Sequence, residues 1–294
     1  MSRIDLHIHT TASDGTRSPS EIVRMASAIG LSALSITDHD TMDGIEDAQE
    51  TARELEVRFI PGVELSVDID DAGMTAHLLG YFPGCPGRDL VDPDTPLGQA
   101  IDYVKGGRSR RNPRILKELS RAGVRIDMDE VEKLADGGVV GRPHIAQAML
   151  NEGYVSTMQE AFGRYLARGR CAYVERDRLP VRRAIELIRG AGGLPVMAHP
   201  GYIPLDTGEL EGFFRRMTDF GLAGIEAVYP THTAKITDLL RSLAAAFGLV
   251  ITGGTDYHGR NNEAAPLGGS PAGFRVTEED AAEFLKICSE LTGR

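Results

Sequence analysis

The alternation of apolar and polar residues is regular from the first residues of the chain. In "IDLHIH", residues 4–9, Ile4, Leu6 and Ile8 interleave with Asp5, His7 and His9. This is the pattern of a strand with one apolar face, expected to pack outward on helices, and one polar face turned inward. The period then changes. Ser18, Pro19, Ser20 and Glu21 combine an N-cap serine, a proline at the first helical position and a glutamate placed for a capping box. Ile22, Met25, Ala26 and Ile29 follow at the spacing of one buried helical face, and Gly30 is placed to end the helix.

The same exchange recurs. "ALSITDHD" (33–40) reads as a strand, "DGIEDAQETARELE" as a helix, and "VRFIPGVELSV" and "AHLLGYF" as two further strands. The proline, glycine and aspartate of "PGCPGRDLVDPDTP" (83–96) mark a long connection. From about 97 to 175 helical patterns dominate, clearest in "RPHIAQAMLNEG" and "TMQEAFGRYLARG". Alternation resumes with the helical "LPVRRAIELIRGAGG", the strands "LPVMAHP" (194–200), "GIEAVYP" (224–230) and "GLVITGGTDYH" (248–258), and a final helix, "EEDAAEFLKICSEL". Seven core strands alternating with helices argue for an α/β protein built as a distorted (β/α) barrel rather than an open sheet. The expected organisation is a barrel domain of residues 1–94 and 176–294 interrupted by a helical insertion of 95–175.

Composition narrows the setting. The 294 residues are 41% hydrophobic, enough for a sizeable core. With 32 Lys and Arg against 43 Asp and Glu the net charge is -11, so any site for an anion must be local. Three scattered cysteines without CxxC spacing suit a reducing compartment. No apolar run reaches membrane-spanning length, and the first strand leaves no room for a signal peptide, so a cytoplasmic protein is expected, with no membrane contact. No obligate protein partner is indicated.

Chemistry gathers where the strands end. His7, His9, His39, Glu64, His77, His199, Asp256 and His258 lie at or just beyond the predicted C-terminal ends of core strands, which in an α/β barrel converge on one mouth. Six of the chain's eight histidines belong to this set. Histidine and carboxylate together suit divalent transition metals, with manganese, iron and zinc all compatible, and more than one ion is expected.

The ordered motifs "DLHIHTTASDG", "TDHDT", "PGVELS", "AHLLGY", "AHPG" and "GTDYHG" resemble the PHP (polymerase and histidinol phosphatase) family, a branch of the amidohydrolase superfamily, over nearly the whole chain. The resemblance implies a distorted seven-stranded, TIM-like barrel holding two or three divalent ions, manganese first among them, that hydrolyses phosphate esters. Carried onto this sequence, it gives His7, His9, Glu64 and Asp256 to one metal, Glu64, His77 and His199 to a second, and Asp14, His39 and His258 to a third. None of the nine positions holds a residue unable to ligate, unlike modules that have lost their metals. The expected reaction is attack on phosphorus by a hydroxide bridging metals near Glu64 and Asp256. Three carboxylates against two or three divalent ions leave a net positive site suited to an oxyanion. Asp38 and Asp40, flanking His39, are read either as acceptors orienting a ligand imidazole or as loop-bracing carboxylates.

The remaining histidines concern substrate. "GRPHIAQ" puts Arg142 and His144 at a helix start, and "YPTHTAK" puts His232 in the loop after the sixth strand. All three are candidates for phosphate binding, and His232 for protonating the leaving group. Residues 105–125 carry eight basic residues and one acid, and 164–183 carry seven basic against two acidic. That bias suits either a solvated helical face or a cap gripping a second phosphate or short RNA. With 6% aromatics and no Trp, a base-stacking groove is not evident. The leading reading is a stand-alone phosphoesterase resembling the branch that removes the 3'-phosphate of 3',5'-nucleotide bisphosphates or trims nucleotides from RNA 5' ends. Alternatives are a cyclic phosphodiesterase or a sugar or histidinol phosphatase on the same scaffold, a regulatory or polymerase-associated module, and an amidohydrolase acting on C–N bonds.

Overall fold

Among the described residues nine strands form one sheet: β1 (Arg3–Asp5), β2 (Leu31–Ile36), β3 (Arg58–Ile69), β4 (Met74–Tyr81), β5 (Leu179–Pro180), β6 (Leu194–Met197), β7 (Gly224–Val228), β8 (Val250–Gly253) and β9 (Val276–Thr277). The computed structural model describes residues 2–69, 73–90, 92–135, 140–175, 177–261, 265–270 and 273–293; the side chain of Arg108 and all of Arg176, both counted among the basic residues above, lie outside that set. The strand order is β8-β7-β6-β4-β3-β2-β1-β9, with β5 beside β3. Leu6 N–H donates to Gly253 O at 3.2 Å and His9 N–H to Tyr257 O at 2.9 Å, which ties the chain after β1 to the chain after β8 and closes the sheet into a barrel. The seven expected strands are all present. The distortion has a specific cause: β4 runs antiparallel to both β3 and β6, because it returns from β3 as a hairpin instead of through a crossover helix.

Side chains at alternate positions point into the barrel. Ala33, Ile60, Leu79, Tyr81, Val196, Ala198 and Val250 form one apolar cluster with Ile4 and Leu6. Phe284 of the last helix closes it, its ring 4.9 Å from that of Tyr81. Ile4 and Leu6 therefore face the interior, not the helices as the alternation had implied; of the three isoleucine and leucine positions in "IDLHIH", Ile8 packs with the outer layer. The regular strand stops at Asp5; beyond it Leu6 N–H and His9 N–H bond to Gly253 O and Tyr257 O after β8, while Ile8 O still accepts Thr37 N–H just after β2, and with this change of pairing His7 and His9 reach the interior at a higher level.

The outer layer includes α1 (Pro19–Ala28), α2 (Ile45–Glu54), α8 (Val181–Gly190), α9 (Thr207–Phe220) and α10 (Ala234–Phe247), while α11 (Ala282–Thr292) closes the barrel floor. The box predicted for α1 is formed, with Glu21 N–H donating to Ser18 Oγ and Ser18 N–H to Glu21 Oε2. Between β4 and β5 lie α3 (Gly87–Leu90), α4 (Pro96–Arg121), α5 (Met128–Ala135), α6 (Arg142–Asn151) and α7 (Met158–Ala161), the last running into a wider π turn over Phe162–Leu166. Helix α4 roots the insertion. Its first turns place Leu97, Ile101 and Val104 in the main core, whereas Ile115 and Leu119, beyond the internal Pro113, join a separate cluster with Val131, Ile145, Met149 and Leu166. Among the described residues no helix is long and apolar enough to cross a membrane.

Much of the basic character of the insertion is neutralised locally. Arg110 pairs with Asp177, Arg121 with Glu118, Arg164 with Glu160, and Arg178 with both Glu175 and Asp68. These pairs favour the solvated-face reading of the two basic stretches, since a paired guanidinium has less to offer a polyanion.

Candidate metal centre

Glu64, near the middle of β3 and fully buried, is the hub. Its Oε1 lies 2.9 Å from His77 Nδ1 and 3.0 Å from His199 Nε2. Its Oε2 lies 2.8 Å from His39 Nδ1, 3.3 Å from His9 Nε2 and 3.4 Å from His7 Nε2. Asp256 Oδ1 joins the second group, 3.0 Å from His9 Nε2 and 3.4 Å from His7 Nε2. Asp14 Oδ1 stands 3.3 Å from His258 Nε2, and its Oδ2 stands 4.0 Å from His39 Nε2. All nine residues singled out as ligands are thus gathered in one cluster. Their donor atoms fall into four overlapping groups, His9–Asp14–His39–His258, His7–His9–Asp256, His7–Glu64–His199 and His39–Glu64–His77.

The donor set calls for cations. His7 Nδ1 is 2.9 Å from Glu226 Oε1 and donates its proton there, which leaves the Nε2 lone pair facing His9 Nε2 at 3.1 Å together with carboxylate oxygens of Glu64 and Asp256. With both Nε2 atoms unprotonated, electron pairs converge here, an arrangement that repels unless a positive charge, a proton or a metal ion, sits inside. His9 Nδ1, His39 Nδ1, His77 Nδ1 and Glu64 Oε2 are buried without an aligned hydrogen-bond partner. Proton affinities register the same demand. Burial works against a charged His9, yet Asp256 and Glu64 raise it to about 10. Burial likewise opposes ionised Glu64, but His77, His39 and His7 hold it well below the usual carboxylate range. His39, for which burial dominates, falls to about 4. Divalent ions satisfy such a cluster more fully than protons do, and the residues fit them.

Backbone strain marks the same place. Among the described residues, Asp40, His199 and Asp256 are three of the four non-glycine residues with positive φ, at 55°, 27° and 54°. Such conformations persist where the surroundings hold them and concentrate at functional sites.

Asp38 and Asp40 follow the second of their two readings. Asp38 accepts from Thr10 N–H, Thr10 Oγ1 and Ser13 Oγ, and Asp40 accepts from Ser66 N–H and Oγ, so both brace loops around the ligands. The residue that orients an imidazole is Glu226 on β7. Its second oxygen accepts His199 N–H at 2.7 Å. Tyr229 donates its hydroxyl to Asp256 Oδ2 at 2.8 Å, and Asp5 holds Thr255 through N–H and Oγ1. Sequence reasoning missed Glu226, although a lone carboxylate inside the apolar run "GIEAV" is itself a signal, since a buried charge needs a partner. Counting it, the carboxylates touching the cluster number four, so two divalent ions neutralise the site and three leave it positive.

The substrate candidates are dispersed around this centre. His144 Nδ1 accepts Gly141 N–H and closes the start of its own helix. The same side chain lines a cleft of about 480 Å³ between the loop at Thr11, Gly15 and Thr16 and the helical insertion. Arg142 donates to Leu166 O at 3.0 Å and lies over the Tyr173 ring. His232 Nδ1 lies 3.0 Å from Ala227 O and its Nε2 accepts Gly201 N–H at 3.2 Å; burial lowers its proton affinity. Both ring nitrogens are committed, and the imidazole is held neutral.

A model of the PHP domain matches residues 5–166. The chain is 33% identical to a 5'-3' exoribonuclease of Haemophilus influenzae over 87% of its own length and 90% of the relative's. It is 30% identical to a 3',5'-nucleoside bisphosphate phosphatase of Chromobacterium violaceum, covering 88% of each. Among solved structures, an amidohydrolase from Chromobacterium violaceum with bound sulfate and no metal superposes with a TM-score of 0.82 at 27% identity over 96% of both chains.

Proposed function

The chain belongs to the PHP domain family, and on that footing we propose that it removes the 3'-phosphate from 3',5'-nucleotide bisphosphates, with trimming of short RNA from the 5' end as a related activity. That it is a metal-dependent hydrolase of phosphoric esters follows from the family and its relatives. The observation that carries the finer reading is the gathering of six imidazoles and two further carboxylates around Glu64, in a chain whose relatives are named for action on a nucleoside bisphosphate and on RNA.

In this reading His7, His9, Glu64 and Asp256 hold one ion, Glu64 with His77 and His199 a second, and Asp14, His39 and His258 a third. Manganese is the leading candidate, with iron or zinc as alternatives. When bound, such ions supply Lewis acidity toward phosphoryl oxygens and lower the pKa of water toward neutrality. The chain's own residues prepare the site for them. Glu226 fixes the tautomer of His7, and Asp256 O, 2.8 Å from His258 Nδ1, does the same for His258. Tyr229 holds one oxygen of Asp256 so that the other faces the histidines. Arg142 and His144 are assigned to substrate phosphate from the insertion, taken here as the cap of residues 95–175. For His232 the paired nitrogens support positioning of the turn after His199 more than proton donation.

The test is a side-by-side assay with 3'-phosphoadenosine 5'-phosphate, AMP, 5'-phosphorylated oligonucleotides, cyclic sugar phosphates and histidinol phosphate. The bisphosphate is expected to give the highest kcat/KM. A hundredfold preference for histidinol phosphate, about 2.7 kcal/mol of discrimination, would overturn the substrate assignment.

A further inference from the structure

Tyr202 is the most exposed large apolar side chain among the described residues, at 59%, yet its ring is held in place. It ends the short turn Pro200–Tyr202 that follows His199. Its ring centroid lies 5.5 Å from that of His199 and 5.8 Å from that of Tyr229, with the planes inclined at 65° and 82°. Its hydroxyl accepts a hydrogen bond from Thr231 Oγ1 at 2.9 Å. The turn itself is pinned by Gly201 N–H to His232 Nε2.

Both aromatic neighbours meet the ring at steep angles, so neither lies flat on it. The ring has given up rotational freedom while keeping most of its surface in water, and a planar partner laid on it would remove apolar area at little further entropic cost. Its neighbour on the inner side is His199, one of the imidazoles on Glu64, so that partner would sit beside the reacting centre.

We infer that Tyr202 is the platform on which the nucleobase of the substrate stacks. This rests on the nucleotide reading above and deepens it: a sugar phosphate has no flat face to offer, whereas every base does. A single platform in a chain with 6% aromatics and no Trp suits one base, that of a mononucleotide or a terminal nucleotide, rather than a long strand.

Two measurements test it. The first is the ratio of kcat/KM for adenosine 3',5'-bisphosphate to that for base-free deoxyribose 3,5-bisphosphate. Tyr202→Ala is expected to lower this ratio about five- to hundredfold, and Tyr202→Phe to retain it. The second uses the absence of native Trp: Tyr202→Trp places a single indole at the site, and its emission is expected to be quenched by AMP but not by inorganic phosphate. An unchanged ratio in Tyr202→Ala, or indole emission indifferent to AMP, overturns the assignment. Failure of the wild-type enzyme to hydrolyse any nucleotide would instead overturn the function proposed above, and the AMP titration would still decide on Tyr202.

Discussion

Glu226 joins two imidazole residues of the cluster, His7 and His199: one oxygen receives the proton of His7 Nδ1 at 2.9 Å and the other receives the backbone N–H of His199 at 2.7 Å. A carboxylate can accept at both ends. An amide cannot, so Glu226→Gln must either present NH2 to His7 Nδ1, forcing a proton onto the nitrogen that faces the metals, or leave His199 N–H against a donor. The variant keeps the shape of the side chain and is expected to fold. Metal affinity is expected to fall about 10- to 100-fold, with activity falling alongside. Competition against a chromogenic chelator, with circular dichroism as the folding control, measures this; unchanged affinity would show that Glu226 merely fills space.

Stripping the protein with a chelator should abolish phosphoester hydrolysis and lower Tm. At a free metal concentration one hundred times Kd, one bound ion stabilises by about 2.7 kcal/mol, worth roughly 5 °C in a chain of this size. Manganese, iron or zinc should restore both properties. Magnesium should restore them poorly, because six of the nine donors are imidazoles and magnesium favours oxygen. Reactivation by magnesium equal to that by manganese would contradict the ligand assignment.

Acid should weaken one contact far from the centre. Asp280 accepts from Thr277 N–H and Oγ1 at 2.9 and 2.7 Å and from Arg241 at 2.7 Å. Burial alone would raise its pKa, but the Thr277 bonds and Arg241 bring it below the ordinary carboxylate value of 3.8. Its contribution is therefore complete above that value and is lost as pH falls through the lower folded value. Urea midpoints of the wild type and Asp280→Asn should differ most at pH 6, and the difference should shrink as the pH falls below 3.8. A gap that stays constant with pH would show that the carboxylate charge plays no part.

What could be read from the chain and what could not divide along physical lines. The nine clustered residues were legible because imidazoles and carboxylates at strand ends have few other uses in such numbers, and their order along the chain resembles a known family. Strand alternation was a weaker guide. It placed Ile4 and Leu6 on the outer face, whereas the pairing of the backbone changes after Asp5, with Leu6 N–H reaching Gly253 O and Ile8 O accepting Thr37 N–H, long-range hydrogen bonds that local periodicity does not encode. The antiparallel pairing of β4 with β6 and the pairing of Arg110 with Asp177 and of Arg178 with Asp68 are likewise set by neighbours distant in sequence. Glu226 escaped notice because its meaning lies in His7, 219 residues away.

Gly254 gives the final prediction, because its lack of a side chain determines where His7 sits. A Cβ at this position would lie 2.4 Å from both His7 Cβ and His7 N, and these atoms have no flexible end that could move aside. The glycine precedes Thr255 and Asp256, so the chain after β8 passes the chain after β1 at a distance that a methyl group forbids. Thr255 is then locked by Asp5 through two hydrogen bonds, which keeps Asp256 Oδ1 facing His7 and His9. Gly254→Ala should therefore separate the two chains, lower stability by about 1–3 kcal/mol as overpacking does, and reduce metal content through the displaced His7 and Asp256. Gly253, the preceding glycine, meets Val228 rather than a ligand, with its Cβ 2.5 Å from Val228 O and 2.7 Å from Val228 Cβ. Gly253→Ala is the matched control: it should destabilise comparably while the metal bound per folded molecule, measured by elemental analysis after gel filtration, stays nearer the wild-type value. Equal metal loss in both variants would mean that overpacking anywhere in this loop disorders the centre, and the specific link between Gly254 and His7 would be rejected.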